Sequence, residues 1–197
     1  MKPFDALFIK GIMALSLVGF VYILSQSIAV SNKRQIGTQE GIYANKVSTK
    51  SKVLQRLTHT LTAHCTHKVC KVQALLDYVS NIPYKINTFH TNFPQDTLAL
   101  GYGDCDDKSN LLISMLHILG IEAYFVLVPK HIFVIVPLER VEGKVALYID
   151  GRAYYILETT AKGSSIGYPL RYRVDQIHAV IDPFSNQKIP FERLEYR

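Results

Sequence analysis

At Gly120 the hydrophobic pattern of this chain changes character. Before it, apolar residues recur at intervals of three and four: Leu54, Leu57 and Leu61, then Val69, Val72, Leu76 and Val79, then Leu111, Leu112, Met115, Leu116 and Leu119. That spacing keeps one face of a helix apolar. After it come short β-rich runs at 122–128, 131–136, 145–149 and 153–157. Asp150-Gly151 between the last two is a strong hairpin turn, and Pro129-Lys130 supplies the turn between the first two. Helices first and antiparallel strands afterwards predict an α+β domain. A chain of 197 residues, 48% of them hydrophobic, has the material for one core.

The helical part runs from Ser51 to about Ser80, with a polar break expected at His64-Cys65-Thr66-His67. Asn81-Ile82-Pro83 ends it, since a residue before proline is driven out of the helical region. Residues 85–103 read as loop, and 170–181 as one further strand. Residues 33–50 are polar and mixed and read as a linker, which leaves 51–197 as the folded domain.

The first 32 residues stand apart. From Gly11 to Asn32 no residue carries a formal charge, and the run is rich in Leu, Ile, Val and Phe. Such a length spans a bilayer core of about 30 Å as a helix. The reading is a single-pass membrane anchor, with a cleaved signal peptide ending near Ser27-Ile28-Ala29 as the rival. Lysine and arginine flank the span on both sides; a strict positive-inside reading would keep the domain in the cytoplasm, whereas a bacterial signal-anchor would export it. An extracytoplasmic domain is the preferred expectation. The net charge of +6 is scattered along the chain and accompanies no nucleic-acid motif, so no nucleic-acid partner is expected.

The chemistry gathers in Gly101-Tyr-Gly-Asp-Cys-Asp-Asp-Lys-Ser109. Asp104 is a good N-cap for the helix that follows, and Asp107 stands three later as in an incomplete capping box. Cys105 then falls in the first helical turn, where unpaired amides and the helix dipole favour a thiolate. Asp104, Asp106 and Asp107 oppose it by like charge, and Lys108 offsets only part of that. The thiol therefore needs an imidazole, and His131 opens a strand 26 residues on. The base needs an acceptor to orient it, for which Asp150 and Glu158 are both placed. Taken singly, a cysteine at a helix start and a histidine at a strand start are ordinary structural residues.

The segment closely resembles the nucleophile motif of the transglutaminase-like superfamily, whose members share a papain-like core. Gly103-Asp104-Cys105-Asp106-Asp107 followed by Ser109 and Leu111-Leu112 matches its cysteine element, and His131-Ile-Phe-Val-Ile-Val its histidine element. Tyr154-Tyr-Ile-Leu-Glu-Thr-Thr160 stands where the family carries its acid, usually within Leu-Asp-Pro-Thr. Ile82-Pro83-Tyr84 also resembles a segment before the nucleophile loop, and the likeness covers roughly residues 50–165. The resemblance implies a Cys105-His131-Glu158 triad, with Glu replacing the usual Asp, and a thioester intermediate. It implies a peptide or protein substrate and a cysteine protease or amidase. A crosslinking acyltransferase and a noncatalytic protein-interaction module are the alternatives. All three positions keep usable chemistry, which argues for activity. Tyr102, beside the thiol, is a candidate substrate contact.

No cofactor is expected. His59, His64, Cys65, His67 and Cys70 are dense, and His64 and His67 with residue 70 or 71 would share a helical face. Their spacing fits no standard zinc module, so the cluster reads as a polar helix surface, and a metal-responsive membrane protein as a distant third function. Asp104, Asp106 and Asp107 stand too close together in sequence to be read as a metal site. Cys65 and Cys70, five apart on an expected helix, would point away from each other, a poor spacing for a disulfide.

Overall fold

The computed structural model describes residues 3–33, 35–38, 41–87 and 90–197. It divides into two units, Met1–Gln35 and Ile36–Arg197. The first is the helix α1, Pro3–Lys33. Its stretch Lys10–Ile28 is apolar, long enough to cross a membrane, and wholly exposed. A signal sequence has the same character.

After α1 comes β1 (Gln35–Thr38), all but its first residue in the second unit, paired to β2 (Gly41–Ala44). The segment expected as a linker is docked from residue 44 onward. The Asn110 amide donates to the Ala44 carbonyl and accepts from Lys46 N–H, and Ser114 Oγ accepts from Ser48 N–H.

Helices α2 (Lys52–Leu61) and α3 (Lys68–Asn81) follow. The break between them corrects two expectations. His64 lies in the connecting turn and His67 is the N-cap of α3, its Nδ1 accepting from Cys70 N–H, so the two histidines share no helical face. Because the chain turns there, Cys65 and Cys70 come to a Cα separation of 5.4 Å and form a disulfide. The objection to that bridge assumed a continuous helix.

The supposed loop 85–103 holds a short helix, α4 (Pro94–Leu100). Pro94 sits at its first position, where the missing N–H costs nothing, and Gly101 closes it at φ +68°. Helix α5 (Cys105–Ile118) comes next. Every residue from Asp106 to Met115 is buried, so this helix runs through the centre of the unit.

Six strands form one antiparallel sheet: β3 (Tyr124–Val128), β4 (His131–Pro137), β5 (Leu147–Ile149), β6 (Arg152–Leu157), β7 (Ala179–Ile181) and β8 (Leu194–Tyr196). Their order is β7-β3-β4-β6-β5-β8. Both predicted hairpins form, with Val128 opposite His131 and Ile149 opposite Arg152. Only the end of the strand expected at 170–181 is extended; Val174–Gln176 is a 3-10 turn. β8 escaped the pattern reading because it is three half-buried residues at the sheet edge.

Both faces of the sheet are covered. Ile132, Val134 and Val136 join Val72, Leu76, Leu112 and Leu116 in the core beneath the helices. Phe133, Ile135, Tyr154 and Ile156 form a second core, closed by Tyr168, Leu170, Tyr172 and Phe191. Two-sided burial is why β4 reads as an unbroken apolar run rather than an alternating one.

Candidate active site

Three elements meet where α5 begins. The Asp104 side chain caps the helix, accepting from Asp107 N–H at 3.3 Å, so the predicted N-cap forms. The box is not completed: Asp107 turns instead to Asn92, whose backbone N–H and side-chain amide donate to it at 2.6 and 3.0 Å. Asp104 also accepts from Asn87 N–H at 2.9 Å, and Asp106 accepts from the Thr91 hydroxyl. The aspartates thus tie Asn87, Thr91 and Asn92 to the start of α5. Their carboxylate oxygens lie within 4.8 Å of one another.

Close packing fixes the glycine of the motif. A Cβ on Gly103 would meet Asp107 Cβ at 2.8 Å and Thr97 Cγ2 at 3.1 Å, with no help from an unusual φ. Gly103 also pairs with the preceding segment, its N–H donating to the Pro83 carbonyl and its carbonyl accepting from Lys85 N–H. Tyr84 is thereby held alongside the loop that leads to Cys105.

Cys105 is a free thiol, while the other two cysteines are joined. The backbone N–H groups of Ile132 and Asp106 lie near enough to its sulfur to favour the thiolate. The first of these donors is the residue after His131, so the sulfur lies against the start of β4. Burial, then the charges of Asp106 and Asp104, push the thiol up to about 12. Those effects outweigh the helix start and the two N–H donors. At neutral pH the resting group is the protonated thiol.

The acids adjust in turn. Burial, then the shared hydrogen bond and charge of Asp104, push Asp106 up to about 8, so it holds a proton at neutral pH. Burial also raises Asp107, against the hydrogen bonds from Asn92. Lys108 is fully buried, and its Nζ donates to the Ser80 and Ile82 carbonyls at 3.2 and 2.7 Å. Burial lowers its ammonium to about 8.

His131 and Glu158 are in direct contact, Nε2 to Oε2 at 2.8 Å, and both side chains are largely shielded from solvent. Burial raises the Glu158 carboxyl, but the hydrogen bond and charge of His131 and two hydrogen bonds from Thr160 more than reverse that, leaving it lowered. Thr160 gives Oε1 its backbone N–H at 2.8 Å and its hydroxyl at 2.6 Å. The longer side chain of Glu is accommodated because the residue two places on clamps its far oxygen. Asp150, the other candidate acceptor, is occupied elsewhere, taking N–H groups of Glu192 and Arg193.

Other side chains complete the surroundings. Tyr102 is half-buried, with the Lys85 ammonium 4.3 Å from its ring centre. The Tyr84 phenol is raised by burial and then by Cys105, Asp104, Asp106 and Glu158, so it faces the same negative site. Tyr172 stacks on the His131 ring, with centroids 6.3 Å apart and planes 18° from parallel. Pattern reading had no means of assigning Tyr172, which reaches the ring from a distant loop. Thr160 was within reach of it, as a hydroxyl two residues beyond a buried acid.

A family model described as the transglutaminase-like superfamily matches residues 55–180, well over half the chain. No curated protein matches it. Among solved structures, a protein from Parabacteroides distasonis provisionally named a protease superposes with a TM-score of 0.50 at 18% identity, over 74% of this chain and 28% of that one. One from Cytophaga hutchinsonii, provisionally named a cysteine protease, gives 0.45 at 18% identity, over 79% and 52%. Legionella pneumophila LapG gives 0.40 at 12% identity, over 62% and 78%. The chain thus spans about half the length of the Cytophaga protein and little more than a quarter of the Parabacteroides one.

Proposed function

Because this chain belongs to the transglutaminase-like superfamily, we propose that it is a thiol-dependent acyl hydrolase, a cysteine peptidase or amidase acting through Cys105, His131 and Glu158. The observation that carries the reading is the 2.8 Å contact between His131 and a clamped Glu158, beside the helix start that bears the free thiol. Glu158 holds Nε2 of the imidazole, which leaves Nδ1 to serve the sulfur. With the resting sulfur protonated, His131 takes its proton as the sulfur attacks the carbonyl, rather than waiting beside a preformed thiolate. The backbone N–H of Cys105, at the start of α5, supplies a donor for the oxyanion. The imidazolium, steadied by Glu158, returns the proton to the departing amine and leaves a thioester on Cys105. A water deprotonated by His131 then attacks that thioester, and the acid departs as the thiol reforms.

The disulfide bears on location. Such bridges persist in oxidising compartments, so we assign the domain to the extracytoplasmic side, held at the membrane by α1.

The test uses the full chain in detergent micelles with a proteome-derived peptide mixture, counting new amino termini by mass spectrometry. Cleavage should vanish in C105A and H131A. Cleavage by C105A at the wild-type rate would overturn the hydrolase reading. If the wild type yields no cleavage and no covalent acyl-enzyme, the domain serves as a binding module.

A further inference from the structure

A cavity of about 410 Å³ opens beside the imidazole. His131 and Glu158 line it, and Cys105 is not among its lining residues, so it flanks the imidazole on the side held by Glu158. In acyl transfer the acyl carbon is on the sulfur while the imidazole protonates the departing amine. The chain beyond that amine therefore runs toward this cavity.

Its walls are specific in character. Phe133, Tyr168 and Tyr172 supply aromatic surface. Lys130 and Arg171 also line it, and both are exposed enough to turn toward an occupant. Among the described residues neither forms an ion pair with a carboxylate; the Arg171 guanidinium lies over the Tyr168 ring, 5.4 Å from its centre. The negative charge lining the cavity is that of Glu158, whose two oxygens already accept from His131 and Thr160. The charge left for a ligand is positive, at the ends of two long flexible side chains.

We propose that this cavity is the leaving-group subsite and that it selects peptides with an acidic side chain, Asp or Glu, just after the scissile bond. The proposal rests on the hydrolase reading for the direction of the substrate. Lys130 and Arg171 act as specificity-determining residues, and the tyrosines shelter the methylenes of the acidic side chain.

Binding tests it without requiring turnover. Full-length C105A in neutral detergent micelles is titrated with fluorescent acetylated peptides that differ only in a central Glu, Gln or Lys. The Glu peptide should bind about tenfold tighter than the Lys peptide, the effect of two partly exposed charge pairs. The gap should shrink in about 0.5 M salt. K130E/R171E should reverse the preference, and K130Q/R171Q should abolish it without reversal. Equal affinities, a preference that survives K130E/R171E, or failure of all three peptides to bind at low-millimolar concentration would overturn the subsite. The two readings fail separately. Binding with this preference but no wild-type cleavage removes the hydrolase and keeps the subsite; cleavage indifferent to charge after the scissile bond removes the subsite and keeps the hydrolase.

Discussion

At the scale of single residues, the acid opposite His131 is the informative one. Sequence left Asp150 and Glu158 both open, and only family resemblance preferred Glu158. The structure engages Asp150 with Glu192 and Arg193 and brings Glu158 to the imidazole. No pattern distinguishes those fates, because they depend on where a hairpin turn meets the C-terminal segment. Replacing Glu158 by Gln swaps an acceptor for a donor at one oxygen and favours the wrong imidazole tautomer. E158Q should retain its fold and lose roughly a hundredfold to ten-thousandfold in kcat, measured on any substrate the wild type cleaves. Asp106 gives a second residue-scale outcome. It ionises as pH rises through about 8 and then repels a thiolate at Cys105. Iodoacetamide should label Cys105 at similar rates in wild type and D106N well below that pH, and faster in D106N above it.

At the scale of elements, helix types, hairpins and the break at 64–67 were legible, and the short helix α4 and the edge strand β8 were not. Period and turn chemistry are local properties, whereas α4 depends on a proline placed at a helix start and β8 on pairing with a strand some 45 residues earlier. The disulfide escaped because Cys65 and Cys70 read as neighbours on one helix, although Cys65 lies in the expected break and only Cys70 on α3. Joining Cys65 to Cys70 closes a short loop at the α2–α3 corner, which stabilises by about 2 kcal/mol on the chain-entropy account. C65S/C70S should unfold at lower denaturant by that margin, with the m-value little changed. The glycine two residues before Cys105 is an element-scale constraint too, because it sets how closely the loop passes the first turn of α5. G103A must push Asp107 or Thr97 aside and should cost about 1–3 kcal/mol by denaturation, with activity lost alongside.

At the scale of the whole molecule, the acids of the site shape the pH dependence of folding. Glu158 is lowered in the folded state, so its contribution is present above the unfolded carboxylate value and lost as pH falls through the folded one. Asp106 is raised, so its contribution is complete below the unfolded value and lost as pH rises through about 8. Thermal unfolding across pH should therefore show an acid limb weakened in E158Q and an alkaline limb weakened in D106N. A denaturation curve of D106N that still falls as steeply toward pH 9 would contradict the assignment.

Lys108 carries a last consequence. Its amine is wholly enclosed and holds the carbonyls at the end of α3. An acylating reagent in solution meets it only when the domain opens, whereas the exposed lysines react at once. The rate at which Lys108 acquires label is therefore a clock for opening events, already built into the chain and needing no engineered reporter. Run with and without a bound peptide, it would time how far occupancy keeps the molecule shut.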